Sequence, residues 1–385
     1  MFVVALAYLA FFSIALPPSM FGVAWPTLRL SFGVPLAAAG VVPPVGVAAS
    51  LVSTSLAHRL ARLIGVGRVL ATGTLASALA LGGSALSRTW WQFLASVAVL
   101  GLASGAIDAT LNAYAARRFG PRRINLLHAC YGVGAVVSPL IVTASLAAGA
   151  GWRTAYLVVA ALLVVTGLVL SAGRLRWRTG EPAADTVRPP GGPGRPRIPR
   201  GDALLGMAAV LGQSGLESAV AIWAYTFLTQ HLGVDAVVAG GLASGYWLTL
   251  VIGRLGFGWL AERVGAWPVL TVAIALLVAA AVLVNIPDPT AGMIAVVSFG
   301  LACAPVYPLL VLTTAERTTP EVADQVVGLQ AAASALGAAI VPGLVGLAIQ
   351  GDSGAFGPAT AGLVVVAAGV HHLMRGRRAR RPVRA

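Results

Sequence analysis

RLRWRTGEPAADTVRPPGGPGRPRIPRGD, Arg174 to Asp202, is the one long polar stretch in a chain of 385 residues. Arginine, proline and glycine dominate it, and such a composition has no apolar face to pack. It reads as a linker over 174–202, with room for one short amphipathic piece. On both sides the chain changes character. Apolar runs of roughly 20 residues recur, each long enough to cross about 30 Å of hydrocarbon. Six precede the linker, near 2–27, 36–57, 69–87, 91–116, 125–149 and 154–173. Six follow it, near 203–230, 236–259, 268–286, 289–315, 326–350 and 356–374. The first run has no basic residues before it and is too long for a signal peptide's apolar core, so it is expected to be a span.

Composition agrees. The chain is 58% hydrophobic and only 10% charged, against about 25% charged in soluble domains. No water-soluble fold of this size hides that much apolar surface, so lipid must be the solvent for most of it. The expected fold is therefore an all-α integral membrane protein with twelve transmembrane helices. Residues 1–173 and 203–374 form two six-helix bundles, and 375–385 form a basic tail.

The net charge of +14 invites a nucleic-acid reading, but the basic residues answer a different question. All 26 are arginines, with no aromatic interleaving and no binding module, so no nucleic-acid partner is expected. With the N-terminus in the cytoplasm, 23 fall in inward loops, the linker or the tail, Arg254, Arg263 and Arg317 among them. Only Arg29, Arg88 and Arg153 fall outside. That asymmetry is the positive-inside rule, and it predicts both termini cytoplasmic in a plasma (inner) membrane.

The halves are related to each other. Gly134-Ala135-Val136-Val137-Ser138-Pro139 recurs as Gly337-Ala338-Ala339-Ile340-Val341-Pro342, offset by 203. Leu60-Ala61, Gly65 and Val69-Leu70 recur as Leu260-Ala261, Gly265 and Val269-Leu270, offset by 200. Trp25 matches Trp223 at 198. Near-constant offsets in order point to two pseudo-symmetric, parallel repeats joined by a cytoplasmic loop, which resembles the major facilitator architecture with its central cavity.

Local stretches carry the resemblance further. GRLGFGWLAERVG (Gly253 to Gly265) contains Gly258-x-x-x-Glu262-Arg263-x-Gly265 and is similar to the loop signature of the major facilitator superfamily. The resemblance implies that helices cross at the glycines and that the acid and arginine pair at a cytoplasmic gate, with Arg254 in the same group. The first-half copy, around His58, Arg62 and Gly65, lacks the acid. GLASGAIDATLNAYAARR (Gly101 to Arg118), RINLLHACYGVGAVVSPL (Arg123 to Leu140), GLESAVAIWAYTFL (Gly215 to Leu228) and SGYWLTLVIGR (Ser244 to Arg254) resemble the fucose–galactose–hexose proton symporters. They are also similar to the fungal bypass-of-stop-codon proteins and the animal sodium-dependent glucose transporter-like proteins. The first span departs from the fucose type, having no acid between Met1 and Leu28.

Candidate chemistry rests on polar residues at membrane depth. Of twelve acidic residues, only Asp108 and Glu217 fall within the hydrocarbon, where a central carboxylate costs about 2.5–3.5 kcal/mol. Asp108 continues a stripe Gly101, Gly105, Asp108, Asn112 on one helix face, with Asn125, His128 and Gly132 on the antiparallel neighbour. Gln213 and Glu217 share a face four residues apart. Asp108, Glu217 and His128 are the candidate proton-coupling groups. Asn112, Asn125, Gln213, Glu217, Trp223, Tyr246 and Trp247 are the candidate solute contacts, since amides meet hydroxyls and indole faces meet the apolar side of a sugar ring. Each has a plainer reading as interhelical hydrogen-bonding glue or packing, Glu217 as a partner of His128 for example. Cys130 and Cys303 read as small core residues.

No phosphate-cradling loop, metal-spaced His/Cys set or nucleophilic triad is present, so no enzyme activity, cofactor or metal is expected. The expected function is secondary transport of a small polar, sugar-like solute with protons, or with sodium in their place, by a monomer in the lipid bilayer. The alternatives are a proton-coupled exporter of a metabolite or drug, implied by the partial resemblance of Gly134-x-x-x-Ser138-Pro139 to the antiporter signature, with serine in place of its glycine, and a non-transporting membrane sensor or scaffold.

Overall fold

The computed structural model describes residues 2–177 and 198–379. Among them there is no strand, and twelve helical spans are long and apolar enough to cross a membrane. The first bundle holds α1 (Phe2–Phe32), α2 (Val42–Ile64), α3 (Val66–Leu86), α4 (Trp90–Arg118), α5 (Pro121–Ala147) and α6 (Gly151–Ala172). The second holds α7 (Arg200–Thr226), α8 (Ala236–Val264), α9 (Ala266–Leu283) and α10 (Pro289–Cys303), the last prolonged by α11 (Val306–Leu312). A single turn, α12 (Thr314–Arg317), leads to α13 (Pro320–Ile349) and α14 (Phe356–Ala379). Most of the expected linker, 178–197, lies outside the described residues, as do 380–385 of the expected tail. An even number of spans places both described ends on one side, the terminal face.

Helix ends follow local chemistry. The Asp235 carboxylate accepts from the Val237 and Val238 amides to start α8, and Asp288 accepts from Ala291 to start α10. A reciprocal capping box between Thr89 and Gln92 starts α4. The two loop glycines of the repeat share one conformation, Gly65 at φ 88° and ψ 149° and Gly265 at φ 90° and ψ 159°. Only glycine enters that region without strain, which is why the sequence repeats it.

The repeat extends to helix packing. Gly134 brings α5 onto the Phe12 carbonyl of α1, and Gly337 brings α13 onto the Leu211 carbonyl of α7, at distances that leave no room for a side chain. Trp25 and Trp223 are both 0% exposed, yet their indole N–H groups go to different acceptors. Trp25 donates to Leu36 O at 3.0 Å and Trp223 to Pro342 O at 2.8 Å.

The bundles meet away from the terminal face. Gly22 of α1 lies against the backbone of Ala221 and Ile222, Gly40 against Gly343, and Gly240 of α8 against Thr143 of α5. The innermost of these contacts is Gly132 of α5 against Val251 of α8. Toward the terminal face the helices separate. On α8, Arg254, Leu255, Gly256, Gly258 and Trp259 are all exposed, a wider exposed arc than a helix packed between the two bundles would have. The protein is closed on the face opposite its ends and open on the terminal face.

Candidate transport site

Asp108 on α4, Tyr131 on α5 and Arg254 on α8 each lie ten residues from the terminal-face end of their helix. That is a depth of about 15 Å at 1.5 Å per residue, at the bottom of the open cleft. Tyr131 is within electrostatic reach of Asp108, Arg254 and Glu217 together, so groups from both bundles converge there. His128 adds a further group, within electrostatic reach of Arg254 and edge-on to Phe11 at 5.3 Å.

The second bundle supplies an ion pair. Arg254 Nη2 stands 3.5 Å from Glu217 Oε1, with side-chain exposures of 44% and 20%. This corrects two sequence expectations. Arg254 is not a loop arginine of the gate, because α8 runs on to Val264 and carries it at membrane depth. Glu217 is not uncompensated, and its partner is Arg254 rather than His128. The signal was available: a carboxylate at membrane depth demands a counter-charge, and Arg254 is five residues inside even the shorter span expected at 236–259.

The first bundle presents its acid differently. Asp108 is exposed to the cleft, and among the described residues its hydrogen-bond partner is Asn112, one turn on in the same helix, at 3.0 Å. The expected stripe divides at this point. Gly101 and Gly105 pack against Gly46 and Ser50 of α2 and so do not line the cavity, whereas Asp108 and Asn112 emerge beyond them. Asn125 is exposed on α5 nearer the mouth.

Three expected solute contacts lie in the packing. Gln213 is 1% exposed and its amide N–H donates to Cys303 O at 3.1 Å, leaving Gln213 Oε1 buried with no hydrogen-bond partner. Tyr246 is 1% exposed and its hydroxyl donates to the Glu217 backbone carbonyl at 3.0 Å. Trp223 stands behind the closed seam, against Gly346. Their surfaces are used by protein in this conformation. Trp247 is half-buried, edge-on to Tyr246 at 5.4 Å. Cys303 is buried and Cys130 half-buried, both as free thiols.

The gate motif is also rearranged relative to expectation. The crossing glycine is Gly253, tight against Leu301 and Ala304 of the α10 segment, whereas a methyl at Gly258 would touch nothing. Arg263 stacks on Trp259 at 3.7 Å, and Glu262 has no ion pair among the described residues. On an open face there is no opposite bundle for these groups to latch.

Twelve spans in two related bundles around one polar cleft define a membrane solute carrier. A family model, Major Facilitator Superfamily, matches residues 7–342, and the chain belongs to that family. That family is one of membrane transporters. It is 26% identical over 274 residues to "Protein TsgA homolog" of Serratia proteamaculans (strain 568), covering 68% of this chain and 66% of that one, just under two thirds of the relative's length. Among solved structures it is similar to a bacterial homolog of the human lysosomal transporter Spinster, in an inward-facing and occupied conformation. That match has a TM-score of 0.74 and 14% identity over 97% of this chain and 96% of that one. The nucleoside transporter NupG matches with a TM-score of 0.72 and 14% identity, over 99% of each chain. At such identities the likeness is one of fold.

Proposed function

We propose that the chain is a gradient-driven carrier of a small polar, sugar-like solute, coupled to protons and working by alternating access. The observation that carries this reading is the convergence of Asp108, Tyr131, Glu217 and Arg254, from both bundles, at the floor of a cleft closed on one face. A group at that depth reaches water from one side at a time if the bundles rock about it. Asn112, Asn125 and Trp247 offer the solute amide and aromatic contacts. Asp108 is the coupling group: it is exposed to the cleft and has no counter-ion within 4.0 Å among the described residues, so it can gain and lose a proton without breaking an ion pair. The membrane is a plasma (inner) membrane with the terminal face in the cytoplasm, on the arginine asymmetry, and the carrier acts as a monomer.

The test begins with a thermal-shift screen of the purified carrier against sugars, polyols and organic acids, followed by counterflow of the hit in proteoliposomes. Asp108→Asn is expected to abolish accumulation under a pH difference while retaining exchange, since the amide mimics a permanently protonated acid. Accumulation by that variant removes Asp108 from the coupling role, and absence of counterflow by wild type removes the carrier reading. For orientation, a cysteine at Arg88 should react from outside intact cells and one at Arg122 should not, with Cys130 and Cys303 replaced by serine. The reverse pattern inverts the assignment.

A further inference from the structure

Arg254 shares in that convergence but has no role assigned to it in coupling or solute contact. It is the one arginine among the described residues that stands as many as ten residues from both ends of its helix. A guanidinium at that depth is tolerated only when paired or facing water, and this one does both loosely. Its 3.5 Å approach to Glu217 is longer than a charge-assisted hydrogen bond of about 2.7–2.9 Å, and 44% of its side chain is open to the cleft. The planar donor fork is therefore accessible to a second, incoming oxyanion.

Glu217 has an alternative partner waiting. Gln213, one turn back on α7, holds its amide N–H on Cys303 O, which fixes the amide's orientation and leaves Oε1 as an acceptor without a donor, 1% exposed. Gln213 is near enough to Glu217 for its amide N–H to hydrogen-bond the ionised carboxyl as well. The amide thus serves either state of Glu217: an N–H meets an ionised carboxylate, and Oε1 accepts the O–H of a protonated one. The other titratable groups facing Glu217 are Tyr131 from α5, Tyr246 from α8 and Cys303 from α10. None of them is a cation that could replace Arg254.

We propose that Arg254 is a binding group for the carboxylate of an acidic solute, and that Glu217 and the solute compete for it, so that the acid binds as Glu217 takes up a proton. The proposal rests on the carrier reading and narrows its solute to a small hydroxylated carboxylic acid. In the empty carrier Glu217 neutralises Arg254, and the pair can cross between states with no net charge. When acid binds, its carboxylate takes the guanidinium and one proton moves from water to the Glu217 carboxyl, which turns to donate to Gln213 Oε1. No covalent bond is made, and the charge of the Arg254 site is the same before and after. Asn112 and Asn125 remain for the solute's hydroxyls.

The experiment compares matched probes that differ in a carboxylate: glucuronate against glucose, gluconate against sorbitol, and lactate against 1,2-propanediol. Thermal shift and titration calorimetry on the full-length carrier are run at pH 5.5 and 8.0, where every acid is ionised. At least one acid is expected to bind more tightly than its neutral counterpart at pH 5.5, and about tenfold or more weakly at pH 8.0, with about one proton taken up per acid bound. Arg254→Gln should remove the preference for the acid. Because that variant strands Glu217 and can fail to fold, Glu217→Gln supplies the opposite sign: it frees Arg254 permanently and should bind the acid equally at both pH values. The proposal falls if no acid exceeds its neutral counterpart, if wild-type binding is independent of pH, or if Glu217→Gln keeps the pH dependence. Glucose or sorbitol binding without the acids sinks this inference and leaves the carrier reading intact; loss of counterflow for every solute sinks both.

Discussion

The two bundles share a scaffold and divide the chemistry. At the repeat offset of 200, Arg254 corresponds to Thr54, whose hydroxyl donates to Gly105 O at 3.4 Å. At the offset of 198, Glu217 corresponds to Ser19, which bonds its own helix at Ala15 O, 2.7 Å away. The second bundle thus holds a cation and an anion where the first holds two hydroxyls turned onto backbone. The first bundle keeps one acid, Asp108, at a position with no acidic counterpart. Backbone features repeat, such as the cap glycines and the glycine-mediated crossings, because they set helix geometry, which both halves need. The charges do not repeat, because a single cleft needs each of them once.

Substitutions can break or sharpen this comparison, and stability in detergent is the readout. The largest effect is expected from the paired tryptophans. Trp223→Ala and Trp25→Ala should each cost about 3–5 kcal/mol, as for other fully buried large aromatics. If one is tolerated, the scaffolds are less alike than their geometry indicates. Next comes the ion pair: Arg254→Ala should destabilise by about 2 kcal/mol, the low end for truncating one partner of a desolvated pair, because both groups keep some water. The double variant Arg254→Ala with Glu217→Gln should recover most of that loss. A smaller effect, about 1–2 kcal/mol each, is expected for Gly65→Ala and Gly265→Ala, since alanine at their positive φ is strained. Equal values would confirm equivalent caps. The smallest is Asp108→Asn, within about 0.5 kcal/mol, because the bond lost lies within one exposed helix turn.

The number of spans was legible because lipid imposes a length and a polarity on each of them; the repeat was legible from matched residues at near-constant offsets instead. Span ends were less legible. Short polar or charged residues at a helix end look like loop, so α8 was expected to stop at 259 and continues to Val264. Arg254 was missed for a different reason: it was counted with the loop arginines although it lay within the expected span. Asp108, Glu217 and Asn112 were legible as polar residues at membrane depth. The outward packing of Gln213, Tyr246 and Trp223 was not, because helical periodicity states which residues share a face but not which neighbour that face meets. Tyr131 was passed over because a tyrosine in an apolar run looks like core, and its position becomes informative only once α5 is seen to cross α8.

The seam on the closed face joins Gly40 to Gly343 and Gly22 to the backbone of Ala221 and Ile222, with Ala37 against Gly346. A closing interface built from larger side chains loses rotamer freedom each time it forms, up to about 1.5–2 kcal/mol for the longest of them, whereas glycine and alanine have none to lose. If the bundles rock, these glycine and alanine contacts therefore add almost no rotamer-entropy difference between the made and the parted seam. Under the proposed mechanism, the balance between the two access states is then left to the water, the proton and the solute in the cleft, which are the components that differ from one turnover to the next.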